Sequence, residues 1–154
     1  MAGIFKQKKA PTFFTAEEQE KIVQAVQQAE RQTSGEVRVY VESKCRFVDA
    51  IDRAAEIFFQ LQMDKTDLHN GVLVYVAVDD HQVAVYADDG IHAKAGTAYW
   101  HTTVATMLQH FRQEHIADGI CSAVLKIGEA LQHYFPYDAT TDKNELPDDI
   151  VFGK

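Results

Sequence analysis

The chain has 154 residues, which is the size of one domain and is long enough to bury a hydrophobic core. Its formal net charge is −8, from 15 Lys and Arg against 23 Asp and Glu. This balance argues against nucleic acid as a partner, because phosphate contacts require a basic surface. It suits a cationic partner, or no charged partner at all.

The beginning of the chain shows no targeting pattern. Residues 1–14 carry positive charge but no apolar segment behind it, so no secretory signal is predicted. No apolar run approaches the roughly 20 residues that a membrane helix requires. Cys45 and Cys121 match no metal-binding spacing, which favours buried free thiols in a reducing compartment. We therefore expect a cytoplasmic protein that does not associate with a membrane.

The first half of the chain predicts a helix, a strand and a second helix. The helix begins with a capping box at Thr15 and Glu18 and ends at Gly35. Residues 36–42 alternate valine with polar or aromatic residues, which is typical of a strand. Residues 49–63 repeat apolar side chains with helical period, which predicts the second helix.

The middle of the chain predicts a β-hairpin. Residues 72–78 form an almost unbroken apolar run, which indicates a strand covered on both faces. The tight turn at 79–82 leads into a second strand at 83–86.

Two helices are predicted to follow. One carries apolar residues from Trp100 to Phe111, and the other runs from an N-cap at Asp118 to Pro136. The predicted order is α-β-α-β-β-α-α, which indicates an α/β fold with a mixed central sheet and helices on both faces. The predicted domain covers residues 15–136. Residues 1–14 form an N-terminal extension, and residues 137–154 form an acidic C-terminal tail.

Acidic side chains are predicted to gather at one edge of this sheet. A crossover helix joins the first two strands, so they should run parallel, and the hairpin makes the third strand antiparallel to both. The starts of the first two strands and the end of the third therefore share one edge. This edge collects residues 34–36, 67–71 and 88–90.

Carboxylate and amide oxygens are the ligands of hard cations. Ca²⁺ takes six to eight such oxygens, and Mg²⁺ uses similar ligands. No imidazole or thiolate is required at this edge, which disfavours zinc. The alternative interpretation is that acidic residues and glycines at strand ends are ordinary turn chemistry.

Motifs for nucleophilic catalysis are absent from the sequence. There is no GxSxG, P-loop or GxGxxG motif, and the seven histidines contain no HExxH. His69 is notable because it precedes Asn70 at the acidic edge. The sequence motifs therefore do not indicate an enzyme.

Three segments together resemble the TPM-domain family, which covers thylakoid-lumen repair proteins and many bacterial proteins. They are residues 33–42 (TSGEVRVYVE), 70–91 (NGVLVYVAVDDHQVAVYADDGI) and 118–136 (DGICSAVLKIGEALQHYFP), and the resemblance spans about 15–136. The resemblance implies an α/β/α sandwich, Ca²⁺ binding and a weak acid-phosphatase activity. The signal peptide and C-terminal membrane span common in that family have no counterpart here, so we do not expect its extracytoplasmic roles to transfer.

The resemblance also implies a set of metal-binding residues at the predicted edge. The candidates are Glu36, Asp67, Asn70, Asp88, Asp89 and Asp118. The leading hypothesis is a domain that binds a divalent cation, with Ca²⁺ preferred over Mg²⁺. The second is a metal-assisted acid phosphatase of low activity, in which His69 or Asp118 supplies a further polar group. The third is a protein interaction module that uses the tail or an apolar surface, with an unknown protein partner.

Overall fold

A computed structural model describes residues 13–47, 49–137 and 149–153. Its helices and strands follow the chain in this order: α1 (Ala16–Glu30), β1 (Glu36–Glu42), α2 (Ala50–Gln60), β2 (Gly71–Ala77), β3 (Gln82–Ala87), α3 (Asp89–Ala95), α4 (Thr97–Arg112), α5 (Ile116–Tyr134) and β4 (Val151–Phe152). A short 3-10 turn, Met63–Lys65, lies between α2 and β2. None of the helices within the described residues is long and apolar enough to cross a membrane.

The four strands form one mixed sheet in the order β3-β2-β1-β4. β1 runs parallel to β2 and to β4, whereas β3 is antiparallel to β2. In this register Glu36 lies opposite Gly71, and Val72 lies opposite Ala87. The predicted parallel pairing of the first two strands and the predicted hairpin are therefore confirmed.

Helices cover both faces of the sheet because successive side chains of a strand point to opposite faces. The valines of β1 and β2 pack in one core with apolar residues of α1, α4 and α5. On the other face, Leu73 and Tyr75 pack with α2 residues, including Ile57 and Phe58. The protein is an α/β/α sandwich with a mixed central sheet, as predicted.

The predicted N-cap residue is confirmed for α1 but not for α5. At α1 the Thr15 hydroxyl accepts from the Glu18 amide over 3.0 Å, and the Glu18 carboxylate accepts from the Thr15 amide over 2.9 Å. The predicted capping box is therefore confirmed. The predicted N-cap of α5 at Asp118 was wrong, because the N-cap is His115. Asp118 lies in the first helical turn, where the helix dipole also favours an acidic residue.

Two elements were not predicted. The short helix α3 directly follows β3, and the two-residue strand β4 pairs with Tyr40 and Val41 of β1. The end of the predicted tail thus belongs to the sheet, and a two-residue strand is too short to show an alternating pattern. Phe14, assigned to the N-terminal extension, is buried in the core. The rest of the extension before residue 13, and tail residues 138–148, lie outside the described residues.

Candidate functional site

The three segments predicted to meet at the sheet edge do meet, and backbone hydrogen bonds hold them together. The Glu36 amide donates to the Asn70 carbonyl over 3.3 Å, and the Asp88 amide donates to the Gly71 carbonyl over 2.9 Å. We call the side chains of Glu36, Asp67, Asn70, Asp88 and Asp89 the acidic edge.

The acidic edge has an inner and an outer group. Glu36, Asn70 and Asp88 are buried, whereas Asp67 and Asp89 are exposed. Burial of a polar or charged group is unfavourable unless a partner compensates for the water that it loses. The outer group adds negative charge around the inner one.

Asn70 is only 1% exposed, and its side chain is incompletely paired. Its Nδ2 donates to the Ser34 hydroxyl over a long 3.4 Å, and its backbone amide donates to the Thr66 hydroxyl over 3.3 Å. The Oδ1 atom is buried and has no hydrogen-bond partner among the described residues. A buried amide oxygen without a donor is free to coordinate a cation.

The Asp88 carboxylate both caps a helix and contacts a histidine. Its Oδ1 accepts from the Asp89 amide over 2.8 Å, at the start of α3. Its Oδ2 lies 3.3 Å from His69 Nδ1. Each carboxylate oxygen has two lone-pair sites, so these contacts leave room for a further ligand at Asp88.

Gly90 sets the spacing between the two acidic segments. A Cβ atom at this position would lie 2.3 Å from the Leu68 carbonyl oxygen and 2.5 Å from the His69 carbonyl oxygen. The first turn of α3 therefore lies directly against the loop that carries Asp67 and Asn70. A glycine permits this approach because it has no side chain.

Asp118 does not belong to the acidic edge. It is exposed at the start of α5, where it pairs with Lys21 Nζ at 3.4 Å. The other end of α5 lies next to the edge, since the Thr33 hydroxyl donates to the Leu131 carbonyl. At 1.5 Å per residue, Asp118 is about 20 Å from Leu131 along the helix. The structure therefore does not bring Asp118 together with the other predicted site residues.

The residues of the edge fit a cation only if oxygen atoms other than carboxylates contribute. Across 13–47, 49–137 and 149–153, no group of three or more His, Cys, Asp or Glu residues could hold a metal ion. Amide oxygens, backbone carbonyls and water are ordinary ligands of Ca²⁺ and Mg²⁺ but not of structural zinc sites. Asn70 Oδ1 is an available atom of this kind.

A cavity adjoins the acidic edge and was not predicted from the sequence. It has a volume of 310 Å³, and its lining includes Asp89, His92, Trp100 and His101. Trp100 is buried, and its Nε1 has no acceptor among the described residues. The apolar pattern around Trp100 predicts only a core residue. The spacing of three between Asp89 and His92 was the available signal, because it places both residues on one side of α3. We call this space the Trp100 cavity.

Comparison with known proteins agrees with the fold. A family model described as the TPM domain matches residues 8–130. The NMR structure of the BA42 protein from the psychrophilic bacterium Bizionia argentinensis is 41% identical, with a TM-score of 0.84. That match covers 96% of this chain and 100% of the BA42 chain.

Two more distant structures share the fold alone. The N-terminal domain of a P. gingivalis protein is 18% identical with a TM-score of 0.64, covering 80% of each chain. The N-terminal domain of a Corynebacterium glutamicum protein is 12% identical with a TM-score of 0.61, covering 81% of this chain and 86% of that one. The comparison with curated proteins gave no match. The chain belongs to the TPM-domain family.

Proposed function

We propose that the acidic edge binds a divalent cation, with Ca²⁺ preferred. Glu36, Asn70 and Asp88 are the proposed inner ligands, and Asp67 and Asp89 contribute negative charge at the rim. The observation that carries this proposal is the buried Asn70 Oδ1, which lacks a hydrogen-bond donor among the described residues. Asn70 and the adjacent Gly71 accept backbone hydrogen bonds from Glu36 and Asp88, so both carboxylate segments lie next to this loop.

The ligand chemistry supports Ca²⁺ over the alternatives. Ca²⁺ tolerates irregular geometry and a mixture of carboxylate, amide, carbonyl and water oxygens, whereas Mg²⁺ demands near-octahedral geometry. With only two inner carboxylates, most of the coordination sphere must come from neutral oxygens. Sites of low ligand charge bind weakly, so we expect a dissociation constant of about 10⁻⁴–10⁻³ M.

Calorimetric titration with Ca²⁺ tests the proposal. The variant Asp88→Asn/Asp89→Asn should lose the heat of binding seen with the unaltered protein. Asparagine is a good N-cap residue, so this variant keeps the start of α3. The matched control is Asp52→Ala/Asp118→Ala, which removes two exposed carboxylates elsewhere and should bind Ca²⁺ normally. Absence of heat with the unaltered protein, or equal heat with the edge variant, would contradict the proposal.

A second candidate function is metal-assisted hydrolysis of phosphate monoesters, and the Trp100 cavity favours it. The cavity shares Asp89 with the acidic edge, and its lining includes Trp100, whose buried indole N–H has no acceptor among the described residues. A bound cation would supply charge stabilisation at the phosphoryl group. Water attacks phosphorus, the ester P–O bond breaks, and the leaving oxygen takes a proton. The proposed proton donor is His69, which is exposed beside Asp88.

Turnover of 4-nitrophenyl phosphate in the presence of Ca²⁺ or Mg²⁺ tests this second function. Trp100→Phe keeps the aromatic packing but removes the donor, so it should raise KM. Asp88→Asn/Asp89→Asn should lower kcat/KM. Turnover that survives unchanged in both variants would identify a contaminating phosphatase rather than this protein.

A further inference from the structure

A second crevice opens at the end of the sheet opposite the acidic edge. It has a volume of 1060 Å³ and is lined by the end of β1, the loop after it, α2 and β4. We call it the β1–β4 crevice. The size is at the upper end of the range of small-molecule sites, which is about 300–1,000 Å³.

The sheet topology makes this crevice a favoured place for a ligand. From β1 the chain passes through α2 on one face of the sheet to reach β2. It reaches β4, on the other side of β1, only after α5 on the opposite face. The strand order therefore reverses between β1 and β4. Ligands of open α/β sheets bind outside the carboxyl ends of the strands at such a point.

The charged residues that line the crevice are mostly basic. Lys44, Arg46 and Arg53 line it, and its only acidic lining residue among those described is Glu42. Glu42 is already paired with Arg53 through two hydrogen bonds. Lys44 and Arg46 are exposed and form no ion pair within the described part of the chain. Arg53 also pairs with Glu56, and the Cys45 amide donates to the Asp80 carboxylate beside the crevice. The positive charge available to a ligand is therefore that of Lys44 and Arg46.

The crevice also has aromatic walls. The Arg53 guanidinium lies 5.9 Å from the centre of the Tyr40 ring and 5.8 Å from that of Phe47. Phe152 of β4 lines the same space. The ion pair with Glu42 holds Arg53 in place beside both rings, so this side chain of the lining is ordered before any ligand binds.

We propose that the β1–β4 crevice binds a small organic anion with a flat apolar body. The aromatic walls contact the body, and Lys44 and Arg46 bind its carboxylate or phosphate group. This site is separate from the acidic edge and needs no divalent cation.

NMR titration of the full chain in the presence of EDTA tests the proposal. The probes are phenyl phosphate and benzoate, with benzyl alcohol as the neutral analogue. Both anions should shift the backbone amides of residues 43–47 and 151–153. Benzyl alcohol should bind about tenfold more weakly than the anions. The relative affinities of the two anions show which anionic group the site prefers.

Charge-removing variants complete the test. Lys44→Ala/Arg46→Ala should weaken anion binding about tenfold, since two exposed charge contacts are lost. The matched control, Lys65→Ala/Lys126→Ala, removes two exposed charges elsewhere and should bind as before. The proposal would be overturned if both double variants bound the anions equally well, or if benzyl alcohol bound as tightly as the anions. It would also be overturned if the anions shifted only amides outside 43–47 and 151–153. EDTA removes divalent cations, so the result of this titration does not depend on whether the acidic edge binds Ca²⁺.

Discussion

Arg53 forms a bidentate ion pair with the buried carboxylate of Glu42 through two hydrogen bonds. Its Nε donates to Oε2 and its Nη2 to Oε1, each over 2.9 Å. The Tyr75 hydroxyl donates to the same Oε2. The Glu42 hydrogen bond raises the pKa of Arg53, so the guanidinium stays charged. The partners of this buried carboxylate, the last residue of β1, thus replace the water that it loses on burial.

Removal of this carboxylate should be costly. We expect Glu42→Ala to lower the free energy of unfolding by about 3–5 kcal/mol, because Arg53 is left in a partly buried site without its main partner. Urea denaturation measures the change. The control is Glu56→Ala, which removes the exposed second partner of Arg53 and should cost about 0–1 kcal/mol. Similar losses of unfolding free energy in the two variants would contradict the expectation that the buried partner of Arg53 contributes more to stability than the exposed one.

Asn70 should control cation affinity more than stability. Asn70→Ala removes the unpaired Oδ1 and one long hydrogen bond, so we expect Ca²⁺ affinity to fall about tenfold while stability drops by about 1 kcal/mol or less. Asn70→Asp supplies a charged oxygen at the same position and should strengthen binding. Calorimetry measures both. Asp118→Ala serves as the control, and the idea fails if Asn70→Ala binds Ca²⁺ as tightly as that control.

Gly90 should be irreplaceable for a steric reason. Gly90→Ala places a Cβ against two backbone carbonyl oxygens, so we expect a loss of about 1–3 kcal/mol in stability. The same shift should move Asp88 relative to Asn70 and weaken Ca²⁺ binding. Gly96→Ala is the comparison, because Gly96 has open space around it and a positive φ of 85°. It should cost about 1–3 kcal/mol, because this backbone region is essentially restricted to glycine, and leave Ca²⁺ binding unchanged. Calorimetry and urea denaturation together separate the two effects.

Tyrosine ionisation should destabilise the fold at high pH. Burial raises the pKa of Tyr75, and it raises the pKa of Tyr99 to about 12. Above pH 10 the unfolded chain loses these protons while the folded chain keeps them, so the free energy of unfolding falls as pH rises. For Tyr99 this loss continues up to about pH 12.

Urea denaturation at a series of pH values from about 9 to 11 measures this dependence. Tyr75→Phe removes one of the ionising groups and should make the decline shallower. Tyr137→Phe is the control, because Tyr137 is exposed, and should leave the slope unchanged. Equal slopes in all three proteins would contradict the assignment to Tyr75.

Local patterns in the sequence predicted much of the fold. The capping box at Thr15 depends on contacts within four residues, and the alternation of β1 depends on which face of one strand is buried. The acidic edge also followed from sequence, because a crossover helix between two strands requires them to run parallel. The backbone segments that carry Glu36, Asn70 and Asp88 do meet at this edge. Their binding of Ca²⁺ stays a prediction.

Other features depend on contacts between residues far apart in the chain. The pairing of Val151 with Tyr40 could not be predicted, because a strand of two residues shows no alternating pattern. It forms because the edge of β1 has backbone groups available for pairing. Asp118 matched a family segment, but the direction of α5 places it away from the edge. The Trp100 cavity and the β1–β4 crevice arise only where separate elements pack.

The sequence by itself determined the helices and strands of the central unit except α3, the direction of the first three strands and the edge at which the acidic residues gather. Periodicity and chain connectivity are enough for this, because both act along the backbone. The tertiary structure alone decided which acidic residues are buried, which polar atoms remain unpaired and where cavities open. These properties depend on how side chains from distant segments exclude water, and no local pattern records that packing.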